Sequence, residues 1–354
     1  MRVSAVDSRS LEELTQVAQR REFLAPEVVH PLRQRTDIHG LLYAAGHYGA
    51  LAGTGYLVFL SNGTWWLLPA MLIHGIVLNH LFAPVHECAH GTAFKTRWLN
   101  EGVLWVSGIL TFWAPLYFRY EHWPHHNFTQ EHGKDTQFVL ASPKTSWDYV
   151  KWISGYTRYK VNLGWLILHS MGRMRPQEKK NIPPKFLPQI YLEARVMLVI
   201  YVGAALYAVI AQSWLPVVYW LGPLILTRPL AHFLRAADHV GCYEGPDLRR
   251  NTRTVMTDPI TRFFSWNMSY HSEHHVAPAV PFHALPKVHK LIDGMTYNSR
   301  CGYWAVQWDI LRHHLTGRSQ TPEDLPDDGR RRPTTQTSHK PSGHPVVIRQ
   351  GAET

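Results

Sequence analysis

Three short stretches concentrate the side chains best suited to holding metal: His86-Glu87-Cys88-Ala89-His90, His122-Trp123-Pro124-His125-His126 and His271-Ser272-Glu273-His274-His275. Neutral imidazole is the commonest metal-binding side chain, and nitrogen-rich sites suit iron, copper, nickel and zinc. On a helix, His86 and His90 are four residues apart and share a face. The H-x-x-H-H pattern of the other two stretches puts the outer pair three apart, again on one face, with an adjacent third ring. A single zinc takes three or four protein ligands, so eight clustered histidines require two metals, joined in one centre or held in two separate sites. One dinuclear centre is the expected arrangement. His239, in Arg235-Ala236-Ala237-Asp238-His239, is a further candidate. The isolated His74, His169, His283 and His289 are expected to be packing or surface residues.

The first stretch also matches H-E-x-x-H, in which two histidines bind zinc and the glutamate is the general base of a protease. That reading explains two of the eight histidines and leaves the H-x-x-H-H stretches idle. Glu87 is therefore expected, with Glu121, Asp238 and Glu273, to steady the ligating rings. Carboxylates beside metal-bound histidines commonly fix the tautomer and raise ligand basicity.

The elements that must position these clusters are apolar. Gly40 to Leu60 and Thr64 to Ala83 contain no charged residue, and Ser61-Asn62-Gly63 between them reads as a tight turn. At 1.5 Å per residue, each run is about long enough to cross the ~30 Å hydrocarbon core. Val196 to Leu234 carries one charge, Arg228, and is long enough for a second hairpin over about 194–234. The expected fold is all-α and integral to a membrane, with four spans in two hairpins and a helical cap on one side. Lys144 to Arg195 holds ten basic residues against three acidic ones, whereas neither hairpin turn is charged. The positive-inside rule then places both termini, the loops and the clusters in the cytoplasm. Gly102 to Phe118 is expected to lie along or dip into the membrane, because a crossing there would put the first two clusters on opposite faces. Val161 to Met171 is a second candidate surface-lying segment.

Residues 1–36 read as a cytosolic lead-in, with Ser10 and Glu13 forming a capping box, and 37–316 as the membrane domain. Residues 317–354, rich in Pro, Thr, Ser, Gly and Arg, read as a disordered basic tail. Met1 to Glu12 lacks the apolar run of a signal peptide. Three widely spaced cysteines, Cys88, Cys242 and Cys301, suit reduced thiols. The net charge of +10 sits beside the spans, where it favours anionic membrane lipids over nucleic acid, for which no motif is present. A metal transporter would place its histidines along a transmembrane path, whereas these clusters follow or lie between spans.

Longer segments around the clusters carry a resemblance. His86 to Phe94 (HECAHGTAF) resembles the first histidine box of acyl-lipid desaturases. His122 to Gln130, with Asp135, resembles the second, and Tyr270 to Leu285 (YHSEHHVAPAVPFHAL) the third. In order and spacing, over about residues 40–290, the chain resembles the membrane fatty acid desaturase superfamily. The resemblance implies two non-haem irons ligated by His86, His90, His122, His125, His126, His271, His274 and His275, with His239 as a ninth ligand. Some members carry an Asn one turn before that ninth histidine; Arg235 stands there in this chain. It also implies a four-span stem under a cytosolic cap, dioxygen as co-substrate, and a fatty acyl or lipid substrate. Electrons are expected from a separate ferredoxin- or cytochrome b5-type carrier with its reductase. Desaturation is the expected reaction, with hydroxylation or oxidative decarboxylation to a terminal alkene as alternatives on the same scaffold. Trp113, Tyr117, Phe118, Phe263, Phe264 and Trp266 are candidates to line an acyl tunnel, and Arg119, Lys134 and Arg262 to hold an anionic head group.

Overall fold

The computed structural model of the chain describes residues 26–137, 143, 145–299 and 302–316. The expected capping box at Ser10 and the 317–354 tail lie outside the described residues.

The architecture is helical. The first uncharged run forms α1 (Asp37–Leu60), and the turn at Ser61 to Gly63 is closed by Gly63 at φ +76°. The chain returns as α2 (Leu67–His80) and α3 (Phe82–His90), which together make a 24-residue rod, Leu67–His90. The first histidine stretch is therefore the end of an apolar helix, stopped by Gly91 in the left-handed conformation. Next come α4 (Arg97–Thr111) and α5 (Pro115–Phe128), broken at Phe112, which sits at φ +62°. A non-glycine residue there costs roughly 1–2 kcal/mol. Stacking of Phe112 on Tyr201 and Trp220, with centroids 4.4 and 5.4 Å away, holds it in place. The expected Gly102–Phe118 segment is thus two helices meeting at a corner.

After α6 (Ser146–Ser154) and α7 (Tyr156–Ser170), the second apolar arm forms α8 (Leu187–Ile210). Its return is not one helix. A π-helical turn at Val217–Leu221 leads into α9 (Gly222–Leu226) and α10 (Arg228–His239), with a 42° bend between the last two. Further helices on the histidine side are α11 (Pro259–Phe264), α12 (His271–Val276), α13 (Leu285–Ile292) and α14 (Gly302–Thr316). Two short parallel strands, β1 (Thr254–Val255) and β2 (Asn298–Ser299), tie the loop before α11 to the loop before α14.

Among the described residues, Leu67–His90 and Pro184–Ile210 are long and apolar enough to cross a membrane, and the bent Val217–His239 pair makes a third if counted as one span. Four were expected. The arm that falls short is α1, whose apolar run is diluted by Gly46, Gly49, Gly53, Gly55 and His47. The chain is a membrane protein: α8 turns Val199, Leu206, Val209 and Ile210 outward, and Trp65, Trp66 and Trp214 stand exposed at the two hairpin tips. Tryptophan is enriched at the water–bilayer boundary.

The packed interior lies on the histidine side. Val85, Cys88, Phe94, Leu104, Trp113, Phe118, Trp266 and Phe282 form one buried cluster around α3. Tyr270, Val276, Val280, Leu285 and Val288 form another around α12. Cys88 and Cys242 are buried free thiols.

Candidate metal centre

Four helices bring nine histidines together: α3 supplies His86 and His90, α5 His122, His125 and His126, α10 His239, and α12 His271, His274 and His275. They fall into two groups. His86, His90, His122, His126 and His274 form one, and His125, His239, His271 and His275 the other, with the ligand atoms of each within 4.8 Å of one another. The groups adjoin, the rings of His126 and His275 lying 4.3 Å apart. Each H-x-x-H-H stretch divides between them differently from the expected outer pairing. Residues four apart, His122 with His126 and His271 with His275, share a group. His125 and His274 cross to the other. Four residues advance a helix by about 40° beyond a full turn and three fall about 60° short, so the four-apart pair is the better aligned.

Several features position these rings. Pro115 opens α5, and the Glu193 carboxylate on α8 accepts the backbone N–H groups of Leu116 at 2.6 Å and Tyr117 at 3.1 Å. First-turn N–H groups have no partner within their own helix, and a carboxylate there also meets the positive end of the helix dipole. Asn100 closes the loop after α3 through the N–H of Phe94 at 3.2 Å and its carbonyl at 2.9 Å. Before α12, Trp266 and Asn267 both adopt positive φ, and Asn267 Nδ2 donates to the Phe282 carbonyl at 3.1 Å.

The nitrogens point inward. Nε2 of His86 lies 2.7 Å from that of His274 and 3.0 Å from that of His122. His126 Nε2 is 2.8 Å from His122 Nε2 and 3.2 Å from His274 Nε2. In the second group His271 Nε2 is 2.8 Å from His239 Nε2 and 3.1 Å from His275 Nε2. Ligand nitrogens ~2.1 Å from one ion and at right angles to each other are about 3.0 Å apart, so these separations fit a metal in each group.

The outer nitrogens set the tautomers. His125 Nδ1 donates to Asp135 Oδ1 at 2.9 Å, and His239 Nδ1 to the Asn251 carbonyl at 3.3 Å. Thr129 spends its hydroxyl proton on the His125 carbonyl at 2.6 Å, so its oxygen accepts from His275 Nδ1 at 3.0 Å. With the proton on Nδ1, the Nε2 lone pair is left for a metal. Burial, then the neighbouring imidazoles, holds His122, His126, His271 and His275 well below the usual histidine pKa, so these rings are neutral ligands. Burial alone would raise Asp135, but His125 and the N–H groups of Gln130 and Gln137 outweigh it and keep the carboxylate ionised.

Of the acids singled out from sequence, Glu87 stands beside a ligating ring as expected, whereas Glu121 and Glu273 are paired with other groups. Glu87 accepts from Thr92 Oγ1 at 2.9 Å and lies 3.8 Å from His274 Nδ1. It is fully buried, a poor position for a protease base that must activate water. Glu121 pairs with Arg158 at 2.7 Å, and Glu273 accepts from Thr254 and from His289 at 2.6 Å. Asp238 faces a cavity. Sequence reasoning attached no orienting role to Asp135, Thr129 or Asn251. Asp135 had a signal, its place just beyond the second stretch; a hydroxyl and a main-chain carbonyl had none. His74 bonds Thr54 and the Tyr219 carbonyl, His169 lies against Glu178, and His283 stacks on His39, all as packing residues.

A cavity of about 170 Å³ touches His86, His122, His125, His239 and His271. Its aromatic wall is Phe82, Trp152 and Tyr303, none of the six expected residues. Trp113, Tyr117 and Phe118 line instead a larger, apolar cavity of about 610 Å³. Phe263 packs on Tyr43, Phe264 on His47, and the buried Trp266 donates to His47 at 3.3 Å. Of the expected head-group cations, Arg119 pairs with Glu101 at 2.8 Å, Lys134 with Glu131 at 3.4 Å, and Arg262 reaches the Tyr270 hydroxyl at 3.3 Å.

The family profile for fatty acid desaturases matches residues 63–307. The chain belongs to that family, and with its buried histidine centre it is a membrane oxidoreductase of the desaturase type. Relatives include the dihydrorhizobitoxine desaturase of Bradyrhizobium elkanii, 25% identical over 72% of this chain and 75% of that protein. The sphingolipid delta(4)-desaturase of Drosophila melanogaster is 26% identical over 66% and 69%. The sn-1 oleoyl-lipid 12-desaturase of Anabaena variabilis is 22% identical over 74% and 75%.

Proposed function

We propose that the chain is a diiron, dioxygen-dependent desaturase of fatty acyl or lipid chains. One iron is held by His86, His90, His122, His126 and His274, and the other by His125, His239, His271 and His275. The observation that carries this reading is the five-and-four grouping, with an all-nitrogen donor set in each half and no thiolate or carboxylate among the ligands. Such a donor set suits iron, and a pair of irons with dioxygen supplies an oxidant able to take hydrogen from an unactivated C–H bond. The chain's own residues have the positioning task. Asp135, Thr129 and the Asn251 carbonyl keep Nε2 unprotonated at three rings, and Phe82, Leu234 and Met268 exclude water beside the histidines. Precise placement of the reacting carbon accounts for much of the rate such a site can supply.

The same reading has α1, Leu67–His90, α8 and α9–α10 cross the membrane as two hairpins, with the centre and both termini on the cytoplasmic side. The basic 144–195 region, beside the second hairpin, supports that sidedness. Electrons come from a separate ferredoxin- or cytochrome b5-type carrier.

Purified protein should carry about two irons, falling towards one in His274→Ala or His271→Ala, with loss of product in both. Lipids of an expressing host, profiled by gas chromatography–mass spectrometry, should contain an unsaturated chain absent from the His271→Ala control. A hydroxylated chain or terminal alkene would keep the centre and replace the reaction. One zinc per chain would overturn the reading.

A further inference from the structure

The small cavity at the histidines has charge in its wall. Arg158 and Arg235 line it. Arg235 has no hydrogen-bond or ion-pair partner among the described residues. Its guanidinium lies over the Phe82 ring, 4.1 Å from the centroid, one turn before His239, and its Nη1 is buried without a partner. Arg158, 5% exposed, gives Nη2 to Glu121 at 2.7 Å and keeps Nε buried and unpartnered. Arg228, 3% exposed, makes one long bond from Nη1 to Asn79 Oδ1 at 3.3 Å. The guanidiniums of Arg158, Arg228 and Arg235 are close enough to repel one another. Asp135 and Asp238 share the cavity wall, but neither is bonded to Arg235, and Asp135 is engaged by His125 and the N–H groups of Gln130 and Gln137. A buried charge is costly unless paired, and an anion in the cavity would complete the pairing.

The larger apolar cavity shares no lining residue with this one. Arg158 lines the smaller and its partner Glu121 the larger, so their ion pair stands in the wall between them. The smaller cavity, at about 170 Å³, is below the ~300–1,000 Å³ typical of drug-sized ligands.

We propose that the substrate enters the small cavity as a free carboxylate held by Arg235 and Arg158, with the carbon to be oxidised a few bonds away beside the histidines. This rests on the oxidoreductase reading above and narrows its substrate from acyl lipid to free acid. A planar guanidinium suits a planar carboxylate, which it can bind through two parallel hydrogen bonds. An ester carries no such anion.

The test is calorimetric titration of the full-length, iron-loaded chain in detergent with octanoate and with methyl octanoate. Octanoate should bind at least tenfold more tightly than its ester. Arg235→Gln should abolish that preference with iron content unchanged, and Arg235→Lys should keep part of it. The acid–ester contrast is read on the unaltered protein, so a misfolded variant does not decide the matter. Equal binding of acid and ester, or octanoate affinity unaffected by Arg235→Gln, would overturn the proposal and leave the diiron reading standing. Inorganic phosphate displacing octanoate at lower concentration would also overturn it. A chain that takes up no iron would sink both readings.

Discussion

Both carboxylate oxygens of Asp135 lie within hydrogen-bonding distance of His125 Nδ1, at 2.9 and 3.0 Å. The same carboxylate accepts the N–H groups of Gln130 and Gln137, each at 2.8 Å, so the loop beyond α5 is folded onto the ring it orients. Asp135→Asn removes the charge with little change of shape. Metal retention should weaken about 10- to 100-fold, as when such outer partners are lost elsewhere. Iron remaining after a timed chelator challenge measures this; wild-type retention would mean that packing alone orients His125.

Acid should destabilise the metal-free protein. His122, His126, His271 and His275 have depressed pKa values in the folded state, because burial and neighbouring rings disfavour their cations. Below about pH 6.5 the unfolded chain binds more protons than the folded one, so stability falls as pH drops through that window and beyond. The depressed Asp135 adds a loss of the same sign near pH 4 and below. Thermal midpoints of metal-stripped protein should decline as pH falls below about 6.5. A midpoint that rises on acidification would contradict this account.

Glu193→Ala leaves the N–H groups of Leu116 and Tyr117 unpaired at the start of α5. Each unsatisfied buried group costs about 1–3 kcal/mol, so a total loss of roughly 2–6 kcal/mol is expected. Because α5 carries three of the nine histidines, iron occupancy should fall along with the denaturation midpoint. Glu193→Gln, which keeps one acceptor oxygen, should recover part of both.

Gly75→Ala tests the contact between the two apolar hairpins. A Cβ there would lie 2.2 Å from the Pro223 carbonyl oxygen and 2.6 Å from Thr227 Oγ1. The nearer obstacle is backbone, so α2 must move away from α9, loosening the Asn79 bonds to Thr227 at 2.8 Å and to the Leu224 carbonyl at 3.0 Å. Overpacking of this kind typically costs about 1–3 kcal/mol. The shift should reach His86 and His239, which lie further along the two moving segments, and lower metal retention. Alanine at Gly49, which meets nothing within 4 Å, is the matched control and should be neutral.

Much of the donor set was legible in the sequence. Spacings of three and four residues act within a single helix, where the period alone decides which rings face together, and that marked the eight clustered histidines. The apolar arms were legible for a similar local reason, since uncharged runs of twenty residues report their own environment. The interruption at Phe112 and the bend after Leu226 were not. The first depends on aromatic stacking from Tyr201 and Trp220, more than eighty residues away in sequence.

The sequence by itself determined which side chains could do the chemistry: eight clustered histidines, His239 beyond them, and apolar helices to carry them. Only the tertiary structure decided how the donors divide, since His86 meets His274 across 188 residues and His122 across 36. That division depends on how α3, α5 and α12 are rotated against one another, and helix rotation is set by packing contacts that no local period encodes. The same holds for the cavity wall. Arg158 and Arg235 are ordinary basic residues in the chain, and their burial beside the histidines is a product of the fold.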